Sequence, residues 1–301
     1  MRWVIISSLM IIIFFIGLLL IYSVYFSTIV EFGSYTENSN FTLNAGSESM
    51  QFYPNMRFPT NELTYRIEKC TLQKENDMKL AFQIIADKTS LEFFQVKSNE
   101  EIYVTCDSKT KIEDGLFIAG EGGPSNITQT DLFNVISKGN ILLLRDSACP
   151  NPNIALHELL HVLGFDHSTN KNNVMYPVTN CKQTIGDDTI EVINSLYSTK
   201  SNPDLAFTNI EANKQGVYFN TEINIINQGL KKSGKAQIII YGDGNEIKRI
   251  DLAPIEVGYG RAIKLTNILV LSKLNSVEFV IDAPFEEIDK ENNHINLQVR
   301  S

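Results

Sequence analysis

A chain of 301 residues, 43% hydrophobic and 20% charged, has the composition of folded protein with room for about two domains. Its net charge of −9 leaves no basic face to neutralise phosphates, which excludes nucleic acid as a partner. The four cysteines, Cys70, Cys106, Cys149 and Cys181, form no C-x-x-C pair, which speaks against a structural zinc cluster.

Residues 3–26 carry no charge and are dominated by Ile, Leu, Phe, Val and Met. About 20 such residues cross a bilayer core as a helix. A cleaved signal peptide is the competing reading, but its apolar region is usually about 7–15 residues and ends at a small-residue site. Tyr22-Ser23-Val24-Tyr25-Phe26-Ser27 offers no such site. Residues 1–26 are therefore expected to be a single-pass transmembrane anchor, with secretion after signal cleavage as the alternative. Arg2 precedes the span and Glu31 and Glu37 follow it. The positive-inside tendency then leaves everything beyond residue 27 outside the cytoplasm. Residues 27–60, rich in Ser, Asn, Glu, Thr and Gly, are expected to form a stalk.

A folded domain is expected over residues 61–200. Residues 63–67 alternate like a strand, and residues 79–86 carry Leu80, Ala81, Ile84 and Ile85 on one side of a helix. Residues 93–96 and 102–104 read as further short strands. Residues 115–124 read as a strand running into a glycine-rich turn, which is no phosphate loop because no Lys-Ser or Lys-Thr follows. Residues 141–144 are a last buried strand. Cys149-Pro150-Asn151-Pro152-Asn153 then supplies an Asn cap for a helix starting near Ile154.

That helix carries the chemistry. His157-Glu158-Leu159-Leu160-His161-Val162-Leu163-Gly164-Phe165-Asp166-His167 reads H-E-x-x-H-x-x-G-x-x-H, and three of the chain's four histidines fall within it. His157 and His161 project from one helical face and suit a tetrahedral zinc. Gly164 lets the helix end in a left-handed conformation, so that His167 can supply a third ligand. Three protein ligands leave one position open, the arrangement of a catalytic zinc rather than a structural one. Glu158 sits beside the first ligand, where its carboxylate can serve as general base without being a ligand. A core helix with incidental histidines is the plain alternative, and nothing apolar explains why these three cluster. A polar loop over 168–173, Val174-Met175-Tyr176-Pro177 and a capped helix over 189–197 follow.

At this point the sequence resembles the metzincin metallopeptidases, and among them the matrixins. The resemblance lies in His157 to His167, in Ser168 directly after the third histidine, and in Val174-Met175-Tyr176-Pro177 at the place of the Met-turn. Leu63-Thr64-Tyr65-Arg66-Ile67 and the helix ending at Tyr197 also look like matrixins. The resemblance implies an α+β catalytic domain with a twisted mixed sheet, one catalytic zinc on His157, His161 and His167, and Glu158 as base. It places Met175 as a floor beneath the metal. It makes Tyr176, Pro177, Phe117, Ile118 and Ala119 candidate pocket residues, with 116–119 as the candidate edge strand for a bound peptide. The cysteine-bearing pro-segment usual in matrixins has no counterpart before Cys70, so latency by that route is not expected. A second, structural zinc is not expected either, because His294 is the one histidine outside the motif. Structural calcium has no residue pattern in its support. A Cys149–Cys181 disulfide would staple the loop of His167 and Met175, leaving Cys70 with Cys106, although four cysteines allow three pairings.

Beyond Pro203, seven alternating runs with turn signals between them suggest an all-β, immunoglobulin-like sandwich over residues 203–301. The segment is similar to CARDB-type adhesion modules through Asp204-Leu205 and the Asp289…Asn292-Asn293 turn. Such a module would bind a surface partner or glycan, or act as a spacer. Glu286, Glu287, Asp289 and Glu291 meet no calcium-ligand spacing and read as a solvated turn. The leading expectation is thus a membrane-anchored zinc endopeptidase acting on extracellular proteins. An adhesion protein with a silent metzincin domain is the alternative, and a zinc amidase shares the chemistry without the Met-turn resemblance.

Overall fold

The computed structural model describes residues 10–18, 29–32, 35–36, 50–113, 116–147, 149–270 and 273–298. The chain divides into two compact units. One comprises Met1–Asn38, Asp204–Asn227 and Ser233–Ser301, and the other Ser39–Pro203 with Gln228–Lys232.

Of the expected membrane span, residues 10–18 are described, as a helix (α1). Its Met10, Ile11, Ile13, Phe14 and Phe15 are all exposed. The rest of that span lies outside the described residues. Among the described residues no helix is long and apolar enough to cross a membrane. The expected stalk requires correction, because parts of it are folded. Strands β1 (Ile29–Glu31) and β2 (Tyr35–Thr36) join the sheet of the C-terminal sandwich, and Phe32 is buried in that sandwich's core. Residues 50–60 belong to the other unit, where β3 (Met56–Arg57) pairs in parallel with the strand over 134–143. The apolar, β-branched run Ile29-Val30 and the buried Met56 and Phe58 are the physical reason.

In the second unit β4 (Glu62–Glu68), α2 (Leu72–Lys88) and β5 (Glu92–Gln95) make a β-α-β crossover with parallel strands. Thr71 caps α2, its hydroxyl accepting from Lys74 N. The helix buries Met78, Ala81, Phe82 and Ile85, while Leu80 is exposed. Of the expected face, Ala81 and Ile85 are in the core and Ile84 packs against it; Leu80 is the exception, its place in the core being taken by Met78 and Phe82. β6 (Ile102–Cys106) runs parallel to β4. A small hairpin of β7 (Ile112–Glu113) and β8 (Leu116–Phe117) follows. β9 (Gly120–Gln129) then pairs antiparallel with β10 (Asn134–Leu143), which runs parallel to β6. The glycines expected to form a turn therefore lie inside a strand. β9 has β10 as its one ladder partner among the described residues, and it forms an edge of a mixed sheet. Helices α3 (Asn153–Val162) and α4 (Asp187–Ser198) complete the unit. Disulfides join Cys70 to Cys106 and Cys149 to Cys181.

The first unit is a two-sheet sandwich. β11 (Leu205–Gln215), β12 (Tyr218–Asn227) and β15 (Gly260–Leu269) form one sheet with β1 and β2. β13 (Ala236–Gly242), β14 (Asn245–Leu252), β16 (Ser276–Asp282) and β17 (His294–Gln298) form the other. Burial alternates residue by residue along β12, and Phe207, Phe219, Ile223, Ile238 and Phe279 share the core between the sheets. In the acidic turn Glu287 accepts from Leu205 N and Asn293 Nδ2, and Asp289 accepts from Glu291 N.

Candidate active site

Helix α3 is buried on every side except at Ile154. Its N-cap is Pro152, without a side-chain cap, so Asn153 is the first helical residue rather than the expected cap. The Asn153 amide instead donates to Asn180 O at 2.8 Å and Gln183 O at 3.3 Å, across to the loop after the Met-turn. The helix stops in a Schellman arrangement, with Phe165 N donating to Leu160 O and Gly164 N to His161 O, both at 3.0 Å. Gly164 has φ +98°, and a Cβ there would lie 2.7 Å from Met56 Cγ. A left-handed backbone and a packed neighbour both require glycine.

This stop brings His167 back over the helix. Nδ1 of His157 lies 2.7 Å from Val174 O, and Nδ1 of His161 lies 2.8 Å from Phe165 O. Carbonyl oxygens only accept, so both Nδ1 atoms carry the proton and both Nε2 atoms present lone pairs. Those lone pairs converge, with His161 Nε2 at 3.0 Å from His157 Nε2 and 3.3 Å from His167 Nε2. Burial pushes His157 below its ordinary pKa, and burial with the neighbouring His157 pushes His161 down to about 4. Both rings are thus held neutral, the form that binds a metal. Two lone pairs facing each other repel unless a cation lies between them. Ligands about 2.0–2.1 Å from a tetrahedral zinc stand about 3.3–3.4 Å apart, close to the two separations from His161, and all three nitrogens lie within 4.8 Å of one another. The donor set fits zinc.

Backbone and side-chain hydrogen bonds hold the Met-turn in place. Ser168 N donates to Met175 O at 2.8 Å, and Asn173 Oδ1 accepts from Met175 N at 2.8 Å. Met175 is buried in the same core cluster as Leu156, Leu159 and Leu160 of α3. Gln183, 1% exposed, accepts from Asn180 N and donates to Val178 O and Lys171 O. Sequence reasoning passed over Asn173 and Gln183, which look like ordinary members of a polar loop. Gln183→Ala removes three hydrogen bonds between a buried side-chain amide and the loop backbone. It is expected to lower unfolding free energy by about 2–4 kcal/mol at unchanged m-value in urea denaturation.

Glu158 is 5% exposed. Burial first, and the charge of Glu121 second, push its carboxyl up to about 8. Strand β9 lies directly on it, since a Cβ on Gly120 would meet Glu158 Cγ at 2.8 Å. An open cleft of about 1210 Å³ is lined by His157, Glu158, His161 and His167 together with residues 118–122 and 177–179. Of the expected pocket residues, Ile118, Ala119 and Pro177 line it. Tyr176, half-buried, does not. The side chain of Phe117 lies outside the described residues. The edge strand above the helix is β9, a few residues beyond the expected 116–119, because the glycines permit the close approach to α3.

Residues 57–198 match the matrixin pattern of the M10 peptidases. This segment is a matrixin domain. Karilysin of Tannerella forsythia is 25% identical over 206 residues, covering 62% of this chain and 41% of karilysin. Macrophage metalloelastase of Oryctolagus cuniculus is 28% identical over 159 residues, covering 45% of this chain and 32% of that protein. The chain therefore spans about two-fifths, or less, of these relatives' lengths. Among solved structures, a CARDB domain of a Pyrococcus furiosus protein, in complex with di-metal ions, covers 33% of this chain at 16% identity and a TM-score of 0.28. The match begins at residue 57, and residues 50–52, which are hydrogen-bonded to Gly164 and Asp166, lie before it.

Proposed function

We propose that the matrixin domain is a zinc-dependent endopeptidase that cleaves proteins outside the cytoplasm. One observation carries the reading: three imidazole nitrogens converge in an open cleft beside a buried carboxylate that is not one of the three groups. His157, His161 and His167 would hold the zinc. When bound, zinc supplies Lewis acidity, polarising a peptide carbonyl and lowering the pKa of water. The chain's own residues do the rest. The free edge of β9 takes an extended peptide as an added strand. Glu158 accepts the proton of the attacking water and delivers it to the leaving amine. Met175 and the Met-turn set the base of the site, and residues 177–179 flank the side chains of the bound peptide. The uncharged, apolar run over residues 3–26 is what supports the reading of residues 1–26 as an anchor.

The test is cleavage of a peptide library by the zinc-loaded full chain, with and without a chelator. Internal cleavage that is lost on chelation and restored by zinc is the expected result. No cleavage by protein that holds stoichiometric zinc would favour an adhesion protein with a silent catalytic domain.

A further inference from the structure

We propose that Phe52 is a positioning residue for the metal site, the ring by which the strap over residues 50–52 fixes the imidazole of His161. The inference rests on the zinc peptidase reading, and it concerns residues that precede the matched matrixin segment.

The Phe52 ring stacks on the His161 imidazole with centroids 5.6 Å apart and planes 22° from parallel. His161 is also met edge-on by His157 and His167, at 4.6 and 4.7 Å. Its hydrogen bond from Nδ1 to Phe165 O fixes one point of the ring, and a single such bond still allows the plane to tilt about the Nδ1–oxygen line. A second ring lying on the face removes that freedom, because tilting drives the imidazole into it.

The strap that carries Phe52 is itself locked to the loop leading to His167. Phe52 N donates to Gly164 O and Asp166 N donates to Met50 O, both at 3.0 Å, with Gln51 and Phe165 bridged between them. Gln51, 6% exposed, donates to Met56 O at 2.7 Å and accepts from Met56 N. The Met56 side chain fills the space beside Gly164. Strap, Met56 and Gly164 thus form a closed circuit around the helix stop. The next residue, Tyr53, is 47% exposed against 39% for Phe52, and so serves as an internal control for loss of a ring at a similarly exposed position. Metal coordination withdraws electron density from an imidazole, and the negative face of an aromatic ring then attracts it more strongly. Phe52 therefore favours the metal-loaded state over the empty one.

The experiment compares Phe52→Ala, Phe52→Leu, Phe52→Tyr and Tyr53→Ala in the full chain. It reads the zinc dissociation constant by competition with a chromogenic chelator, and the visible absorption of the cobalt(II)-loaded protein. Phe52→Ala and Phe52→Leu are expected to weaken zinc by about 10–100-fold and to shift the cobalt bands. Phe52→Tyr, which keeps the ring, and Tyr53→Ala should both match the parent. Phe52→Leu keeps apolar bulk, so it remains informative if Phe52→Ala fails to fold. Zinc affinity for Phe52→Leu within about twofold of the parent, with superimposable cobalt spectra, overturns the proposal. A parent chain that binds no zinc overturns the peptidase reading instead, and this inference with it.

Discussion

Glu158→Gln lowers kcat for peptide hydrolysis by about 10²–10⁴-fold while bound zinc stays stoichiometric, as metal analysis of the purified variant will show. Glu158 follows His157 directly in α3 but is not one of the three converging ligands. The amide keeps the size and the contacts of the carboxylate against β9, yet it has no oxygen able to take a proton. Burial, with the charge of Glu121 second, raises the proton affinity of the carboxyl above that of a free one, so it holds a proton more readily once it has taken it. Replacing a buried ionisable group by a neutral one also removes a desolvation cost, so the variant's thermal stability should equal or exceed the parent's. Two outcomes would count against the assignment. Hydrolysis at the parent rate would mean that another group takes the proton. Loss of zinc together with activity would make Glu158 part of the metal's support.

How much of this site could be read in advance depended on how local its signals are. His157, His161 and His167 fall within one helix and its stop, and Gly164 at φ +98° marks that stop in the sequence as plainly as in the structure. The sandwich strands were similarly open, because hairpin neighbours alternate in register and carry turn residues such as Asp243-Gly244, both at positive φ. Long-range pairings left no such trace. Residues 29–31 meet residues 213–215, and residues 50–52 meet residues 164–166, partners that no local pattern specifies. Ala81 and Ile85 of α2 face the core as expected and Ile84 packs against it, but Leu80 is exposed and Met78 and Phe82 complete the face instead, a choice between neighbouring apolar positions that only tertiary packing makes. Gly120 to Gly123 misled for a different reason. Glycine most often marks a turn, and here it marks a strand pressed against a helix.

That last point gives a sharp test. Gly122→Ala is expected to destabilise the fold by about 1–3 kcal/mol or more and to cost about 10²-fold in kcat/KM, while Gly123→Ala changes neither. A Cβ on Gly122 would stand 2.3 Å from Glu158 O and 2.8 Å from Glu158 Cα, both backbone atoms that no rotamer change can move. Either β9 leaves its ladder with β10 or α3 shifts outward. A shift of α3 displaces Glu158 and both helical histidines together, so activity falls even where the fold survives. Gly123 is the matched control, because successive strand residues face opposite ways and nothing lies within 4 Å of a Cβ built there. Urea denaturation and hydrolysis of one peptide substrate measure both effects on the same preparations. Equal stability and rates for the two variants would show that β9 does not bear on α3 at Glu158, and the support proposed for the catalytic base would fail with it.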